Sequence, residues 1–343
     1  MADPINVALV GYGFAGKTFH APLISAAPDL RLHTVVTSRP GDLHADWPEA
    51  KAVAHLDAAL ADPAIGLVVV ATPNALHAPQ AEAALRAGKA VVVDKPFALS
   101  VAQAADVARL AQDRGLLLSV FHNRRWDSDF LALKAAIEAG DLGRVITFES
   151  HFDRFRPEVR DRWREGDGPG AGIWFDLGPH LIDQALTLFG QPLGVTCDLA
   201  VQREGGVATD WAHAVLRYER MRIILHADMT SPAADIRFRV HGSRASWLKA
   251  GLDVQEDQLK AGLIPDASGW GVDPLKALRV DGQTGERTEV AAPPGDYPAY
   301  YAAIAKALHG KGPNPVTAEQ ALAVMAIVEA GVLSSERRAE VAL

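Results

Sequence analysis

The sequence opens with Ile5-Asn6-Val7-Ala8-Leu9-Val10 and runs directly into Gly11-Tyr12-Gly13-Phe14-Ala15-Gly16. An apolar run of buried-strand length, three glycines at G-x-G-x-x-G spacing and then helix-compatible residues leave few folds open. At a strand-to-helix junction each glycine has its own task. The first permits the tight turn, the second lets the backbone approach a pyrophosphate, and the third lets helix and strand pack closely. Free N–H groups and the dipole at the start of the helix favour the phosphates. Gly11, Gly13, Phe14, Ala15 and Gly16 are therefore candidate dinucleotide contacts. The competing reading is a Gly-rich turn in some other α/β protein.

The second strand reads Leu32-His33-Thr34-Val35-Val36, followed by Thr37-Ser38-Arg39-Pro40. A site selective for NAD usually carries an acid here, about 20 residues past the glycines, to bond the ribose 2′-OH. Ser38 and Arg39 stand there instead. A hydroxyl and a guanidinium suit a 2′-phosphate, because arginine presents a fixed fork of donors. NADP is the expected cofactor. NAD is the less favoured one, with Asp42 just past this place as the remaining acid for the ribose.

With 343 residues the chain suits two domains. The formal net charge of −8, without any Lys/Arg cluster, argues against nucleic-acid partners. Cys197 is the single cysteine, so no intrachain disulfide forms, which fits a reducing cytoplasm. Met1-Ala2-Asp3-Pro4 shows no basic leader segment, and no apolar run approaches the ~18 residues of a membrane helix. A cytoplasmic protein without membrane contact is expected.

Up to residue 121 strand and helix alternate. Ile65 to Ala71, Ala90 to Val93 and Leu116 to Phe121 are continuous apolar runs, as in a parallel strand buried on both faces. Pro79 to Ala87 and Val101 to Arg114 read as helices, the latter capped by Ser100 and ended by Gly115. This predicts a Rossmann-type doubly wound sheet over 1–121. Beyond it, helical sequence continues to about Ala139, and then strand-like alternation dominates. The runs are Ile146 to Phe152, Trp211 to Tyr218, Met221 to Ala227 and Ile236 to Val240, with Tyr218-Glu219-Arg220 as a hairpin connection. In the last run Ile236, Phe238 and Val240 face one way, Arg237 and Arg239 the other. Residues 122–343 are expected to form an α+β domain with a large, open, mainly antiparallel sheet. Its outer face is either solvated or an oligomer interface, and a homodimer or homotetramer is expected, with Trp211 and Met221 as outward-facing examples. Thr317 and Gln320 should cap a final helix to Ser335.

Ligands of doubly wound sheets bind outside the carboxyl ends of the strands. Three polar turns fall there: Thr72-Pro73-Asn74-Ala75-Leu76-His77, Asp94-Lys95-Pro96, and His122-Asn123-Arg124-Arg125-Trp126-Asp127. A fourth group lies in the second domain, where Asp176, His180 and Asp183 share one face of a helix at i, i+4 and i+7. Pro179 is tolerable there only in a first turn. Two other readings of this face are a metal site, which lacks a third strong ligand, and a buried structural Asp–His pair. No metal is expected.

Together these motifs resemble the Gfo/Idh/MocA oxidoreductases over nearly the whole chain: the glycine turn, Thr-Pro-Asn-x-x-His, Lys-Pro, Asp-x-x-x-His, and Pro-Val-Thr-Ala-Glu at Pro315 to Glu319. Asp94 stands where the family usually has Glu. Phe121 to Asp127, Arg156 to Val159, Arg162 to Glu165 and Gln255 to Asp257 are similar to the NADP-dependent scyllo-inositol dehydrogenase branch. The resemblance implies that Lys95, Asp176 and His180 are catalytic. It implies that Thr72, Pro73, Asn74, His77 and Lys95 join the glycine turn, Ser38 and Arg39 at the cofactor. Asn123, Arg124, Asp153 and Asp183 are the substrate-contact candidates, because polyol hydroxyls need many directional partners. The Lys95–Pro96 bond is expected to be restrained and cis. Three functions stay open: cyclitol oxidoreduction, the same chemistry on an aldose or keto-sugar, and a non-catalytic dinucleotide-binding sensor or co-regulator.

Overall fold

The computed structural model describes residues 3–233 and 235–343. Met1 and Ala2, on which the expectation about a leader segment partly rests, lie outside the described residues, as does Ala234. The chain forms two compact units. The first holds the residues up to Asn123 together with 255–270 and 296–322. The second holds 124–254, 271–295 and 323–343. The two later segments of the first unit lie far beyond the expected boundary at 121–122, and the anchoring of 296–322 is specific. Ser119 Oγ lies 2.8 Å from Tyr300 Oη and donates to the Val316 carbonyl. His20 Nδ1 lies 2.7 Å from Tyr301 Oη, and the Phe121 and Tyr300 rings meet edge-on.

In the first unit six strands run parallel: β1 (Ile5–Val10), β2 (Leu30–Val36), β3 (Lys51–Val53), β4 (Ile65–Val70), β5 (Ala90–Val93) and β6 (Leu118–Val120). Their order is β3-β2-β1-β4-β5-β6. The order reverses between β1 and β4, which is where a doubly wound sheet opens its ligand crevice. Val7 to Val10, Leu67 to Val70 and Val91 to Val93 are buried, as expected of strands covered on both faces. Helix Val101–Arg114 starts on Ser100, whose Oγ accepts from Gln103 N, and stops at Gly115 with φ 63°. After the glycine turn the chain makes a π-helical turn over Gly16–His20 and continues as helix Ala21–Ala26.

The second unit carries β7 (Val145–Asp153), β8 (Gly194–Ala200), β9 (Trp211–Arg217), β10 (Arg222–Asp228), β11 (Phe238–Gly242), β12 (Ala245–Lys249), β13 (Ala277–Asp281), β14 (Arg287–Val290) and β15 (Val341–Ala342). They form one sheet in the order β14-β13-β12-β11-β7-β10-β9-β8-β15, antiparallel except for β7 beside β10. Phe148, Phe152, Ile223, Leu225, Ala212, Ala214 and Leu216 are its buried face, on which helix Ile173–Phe189 packs. The alternation expected over 236–240 fails at Arg237. Strand pairing of β11 starts only at Phe238, and Arg237 is 1 % exposed. Its guanidinium donates to Asp129, Ser150 and Gln184, so a buried charge is paired and bonded rather than solvated.

Helix Ile173–Phe189 begins six residues before Pro179, so this proline is interior, not in the first turn. It removes the N–H that would bond the Phe175 carbonyl, a defect worth about 3 kcal/mol in an exposed helix. Packing outweighs it. Trp174 is fully buried, donates from Nε1 to the Val328 carbonyl, and lies against Gly178 and Gly331, where any Cβ would come within 3 Å of its ring.

The final helix, Ala318–Arg337, is capped as expected: Gln320 N donates to Thr317 Oγ1 and Thr317 N to Gln320 Oε1. Contrary to the sequence expectation, it is long and apolar enough to span a membrane by length and composition. Its apolar residues Ala321, Val324, Met325 and Val328 are buried at i, i+3, i+4 and i+7, the spacing of a helix that faces a protein core.

Candidate active site

At the carboxyl end of β1 the glycine turn is held by close backbone approach. Gly11 has φ 98°, and a Cβ on it would stand 2.6 Å from the Ala71 carbonyl oxygen. One on Gly16 would stand 2.0 Å from the Gly11 oxygen, whereas no atom of the described residues lies within 4 Å of a Cβ at Gly13. The turn thus leaves open space above Gly13 at the start of the helical residues, with Phe14 exposed beside Ala15. These residues fit the pyrophosphate of a dinucleotide.

Beyond β2, Ser38 and Arg39 are exposed. The Arg39 Nη2 donates to the Tyr12 carbonyl at 2.7 Å, and its Nη1 lies 3.3 Å from Asp42 Oδ2. A cation therefore borders the glycine turn, and the acid nearest the expected ribose position is occupied by it.

The turn after β4 and the turn after β5 are joined through His77. This ring is buried, with Nδ1 2.7 Å from the Pro96 carbonyl and Nε2 2.8 Å from the Thr72 carbonyl. Burial holds its pKa below the ordinary imidazole value despite the charge of Asp94, so the neutral ring donates to one carbonyl at a time. His77 fixes two turns and presents no ring nitrogen to a cofactor. Thr72 Oγ1 bonds Gln80 Oε1, and Asn74 is buried after Pro73. The Lys95–Pro96 peptide is cis. Lys95 itself is partly exposed. Asp94, behind it, accepts from the Lys95 N–H at 2.8 Å. Burial alone would raise its carboxyl, but the His20 ring, then Lys95 and His77, hold it at about 2. The His20 Nε2–Asp94 Oδ2 separation is 3.7 Å, beyond hydrogen-bond range.

In the second unit, helix Ile173–Phe189 starts beside a shallow hollow lined by Arg162, Arg164, Glu165, Asp176, Arg203 and Thr209. Asp176 faces Arg164 at 3.6 Å. His180 is buried, its ring inclined 25° to that of Phe152 with centroids 6.5 Å apart, and Phe152 is flanked by the guanidinium groups of Arg124 and Arg154 at 4.6 and 4.7 Å. Asp183 is held by Arg125 through Nε and Nη2 at 2.9 and 2.6 Å. Gln184 donates to the Arg124 carbonyl and accepts from Arg237. Arg125, Gln184 and Arg237 thus fix the helix. Sequence reasoning misses them, because their partners lie 50 to 60 residues away. Arg125 carries the only local signal, in the polar turn after β6.

Asp153 is a correction. Adjacent strand residues point to opposite faces. Phe152 points to His180, so Asp153 points away from it and bonds His151 on the other face. Asn123, buried at the carboxyl end of β6, belongs to the first unit.

Residues 5–122 match the family model described as oxidoreductase family, NAD-binding Rossmann fold, and residues 134–343 match its C-terminal alpha/beta domain. The chain is 52% identical to the oxidoreductase YdgJ of Escherichia coli (strain K12) over the whole of both chains. It is 38% identical to scyllo-inositol 2-dehydrogenase (NADP(+)) IolW of Bacillus subtilis (strain 168), over 99% of this chain and 96% of the relative. The solved structure of the oxidoreductase yvaA from Bacillus subtilis superposes with a TM-score of 0.96 at 38% identity, covering 100% of this chain and 99% of that one. The chain belongs to the Gfo/Idh/MocA family and is an NAD(P)-dependent oxidoreductase acting on CH–OH groups.

Proposed function

We propose that the enzyme uses NADP(H) to interconvert a secondary alcohol of a cyclitol or sugar and its ketone, with scyllo-inositol and its inosose as the first candidates. The observation that carries this reading is the full-length likeness to an NADP-dependent scyllo-inositol dehydrogenase, supported by Arg39 at the glycine turn. When bound, the nicotinamide ring accepts or returns the two electrons of the reaction. The chain's own residues handle the proton and the charge. His180 takes the hydroxyl proton, a role that imidazole fills near neutral pH. The Asp176 carboxylate favours the protonated ring. The Lys95 ammonium stabilises the developing alkoxide and takes part in relaying the proton. Asn74 borders the nicotinamide end, and Asn123, Arg124 and Asp183 supply substrate hydrogen bonds, Asp183 with its carboxylate oriented by Arg125. Cys197 is buried, and burial, then Asp198, pushes its thiol up to about 12.

The test is a panel of scyllo-inositol, myo-inositol and aldoses with NADP⁺ and NAD⁺, followed at the absorbance of the reduced nicotinamide. Turnover of scyllo-inositol with NADP⁺ is the expected result. Turnover of aldoses alone favours the sugar reading. Tight NADPH binding with no turnover of any polyol, sugar or ketone overturns both.

A further inference from the structure

We propose that His151, Asp153 and His226 form a divalent-cation site of the zinc class on the open face of the nine-stranded sheet. The strands β7 and β10 run parallel with His226 beside His151 and Asp228 beside Asp153. His151, Asp153 and His226 therefore project from one face, the face turned away from helix Ile173–Phe189. One ligand atom from each lies within 4.8 Å of the others.

The second observation is the state of the Asp153 carboxylate. Its Oδ2 accepts from His151 Nδ1 at 2.9 Å. Its Oδ1 faces His226 Nε2 at 3.8 Å, beyond hydrogen-bond range, and is buried with no hydrogen-bond partner among the described residues. The side chain is only 8 % exposed. A carboxylate oxygen buried in this way costs free energy unless something satisfies it. A cation shared with two imidazoles does so.

The far sides of both rings are already arranged for that role. His151 Nε2 lies 2.9 Å from Glu149 Oε1, and His226 Nδ1 lies 3.3 Å from His213 Nδ1. Loss of the His151 Nδ1 proton on metal binding, with an N–H kept at each of these outer positions, leaves the lone pairs of His151 Nδ1 and His226 Nε2 facing inward. Metal-bound histidines generally donate their other N–H in this way, to a carboxylate or another acceptor. Glu149 is itself held by Arg239, and the Trp211 ring stands edge-on to His226. Two imidazoles and one carboxylate suit zinc or a neighbouring first-row ion, with a coordination position left for water. Ligand atoms of a tetrahedral site stand roughly 3.5 Å apart, so binding draws the side chains inward by about an ångström.

The test uses the full-length chain, treated with chelator and titrated with zinc sulfate by calorimetry, with Co²⁺ absorption as a second readout of nitrogen and carboxylate ligation. One zinc per chain is expected. Asp153→Asn and His226→Gln should each weaken it by about 100-fold or more, and Glu149→Gln by about 10-fold, as for a group that orients a ligand. His33→Gln, remote from the site, should bind as the wild type does. Should Asp153→Asn fail to fold, His226→Gln and the Co²⁺ spectrum decide the matter. No saturable zinc binding below about 100 μM, or equal affinity in the wild type and both ligand variants, overturns the proposal.

Discussion

Arg39 donates a hydrogen bond from its guanidinium to the main-chain carbonyl of Tyr12, 2.7 Å away, tying the residues after β2 to the glycine turn after β1. A positive charge is thereby fixed at the place where a doubly wound sheet receives the adenosine ribose. Arg39→Ala should weaken NADPH by about 1–3 kcal/mol, the range of a charge-assisted contact, and leave NADH nearly unchanged. Steady-state constants for both cofactors check this. Equal constants for the two cofactors in the wild type contradict it.

Asp94 should make stability depend on acid. Its carboxyl sits at about 2 in the folded chain, below the ordinary 3.8. A depressed carboxyl contributes stability that is present above its unfolded pKa and lost as pH falls through the folded one. A difference of that size corresponds to about 2–3 kcal/mol. Asp94→Asn should therefore destabilise the protein near neutral pH, and its deficit should shrink between about pH 5 and pH 2. Denaturant melts of both proteins across that range measure it. A deficit that stays constant with pH assigns Asp94 a purely geometric role.

Gly331→Ala should be destabilising although alanine favours helices. Its Cβ would stand 2.7 Å from Trp174 Cζ2, and Trp174 anchors the helix that carries Asp176 and His180. Overpacking of this kind costs about 1–3 kcal/mol. Thermal unfolding should show a lower midpoint, and turnover should fall as the helix shifts.

The elements legible in the sequence depend on neighbours within a few residues. The glycine turn, the Ser100 cap and the Thr317–Gln320 box are local, and each forms as its spacing predicts. Strand β5 is an unbroken apolar run, and its bounds need no distant information. Other features depend on partners far along the chain. Arg237 reads as an outward residue because the ions that bury it lie on other elements. Pro179 reads as a helix start because the packing of Trp174 is invisible to a local rule. Asp153 reads as a substrate contact, although the alternation through Phe152 already puts it on the other face. The family motifs single out Lys95, Asp176 and His180, but no local pattern reveals that Arg125 and Gln184 hold the helix around Asp183.

The open face of the nine-stranded sheet also bears on assembly. Trp211, Val215 and Ile224 lie on it half-exposed among the histidines, whereas Met221 falls in the turn before β10. Apolar side chains on a sheet face are commonly covered by a partner. We expect a second copy to cover them, giving a dimer or tetramer. Light scattering at micromolar protein checks the mass, and Trp211→Glu should shift it toward the monomer. A monomer mass for the wild type overturns the expectation.

The catalytic assignment has the sharpest kinetic signature. Lys95→Ala and His180→Ala should each lower turnover by about 10²–10⁴-fold, the usual worth of a positioned acid or base, while NADPH still binds. Asp176→Asn should do less, because an amide can still orient the ring but cannot stabilise its positive charge. Kinetics on a verified substrate, with cofactor affinity measured separately, distinguish a chemical defect from a binding defect. A loss confined to turnover supports Lys95 and His180 as the groups that move the proton and hold the charge. Wild-type turnover in His180→Ala would make the histidine structural, in keeping with its burial against Phe152, and would send the search for the base to Lys95.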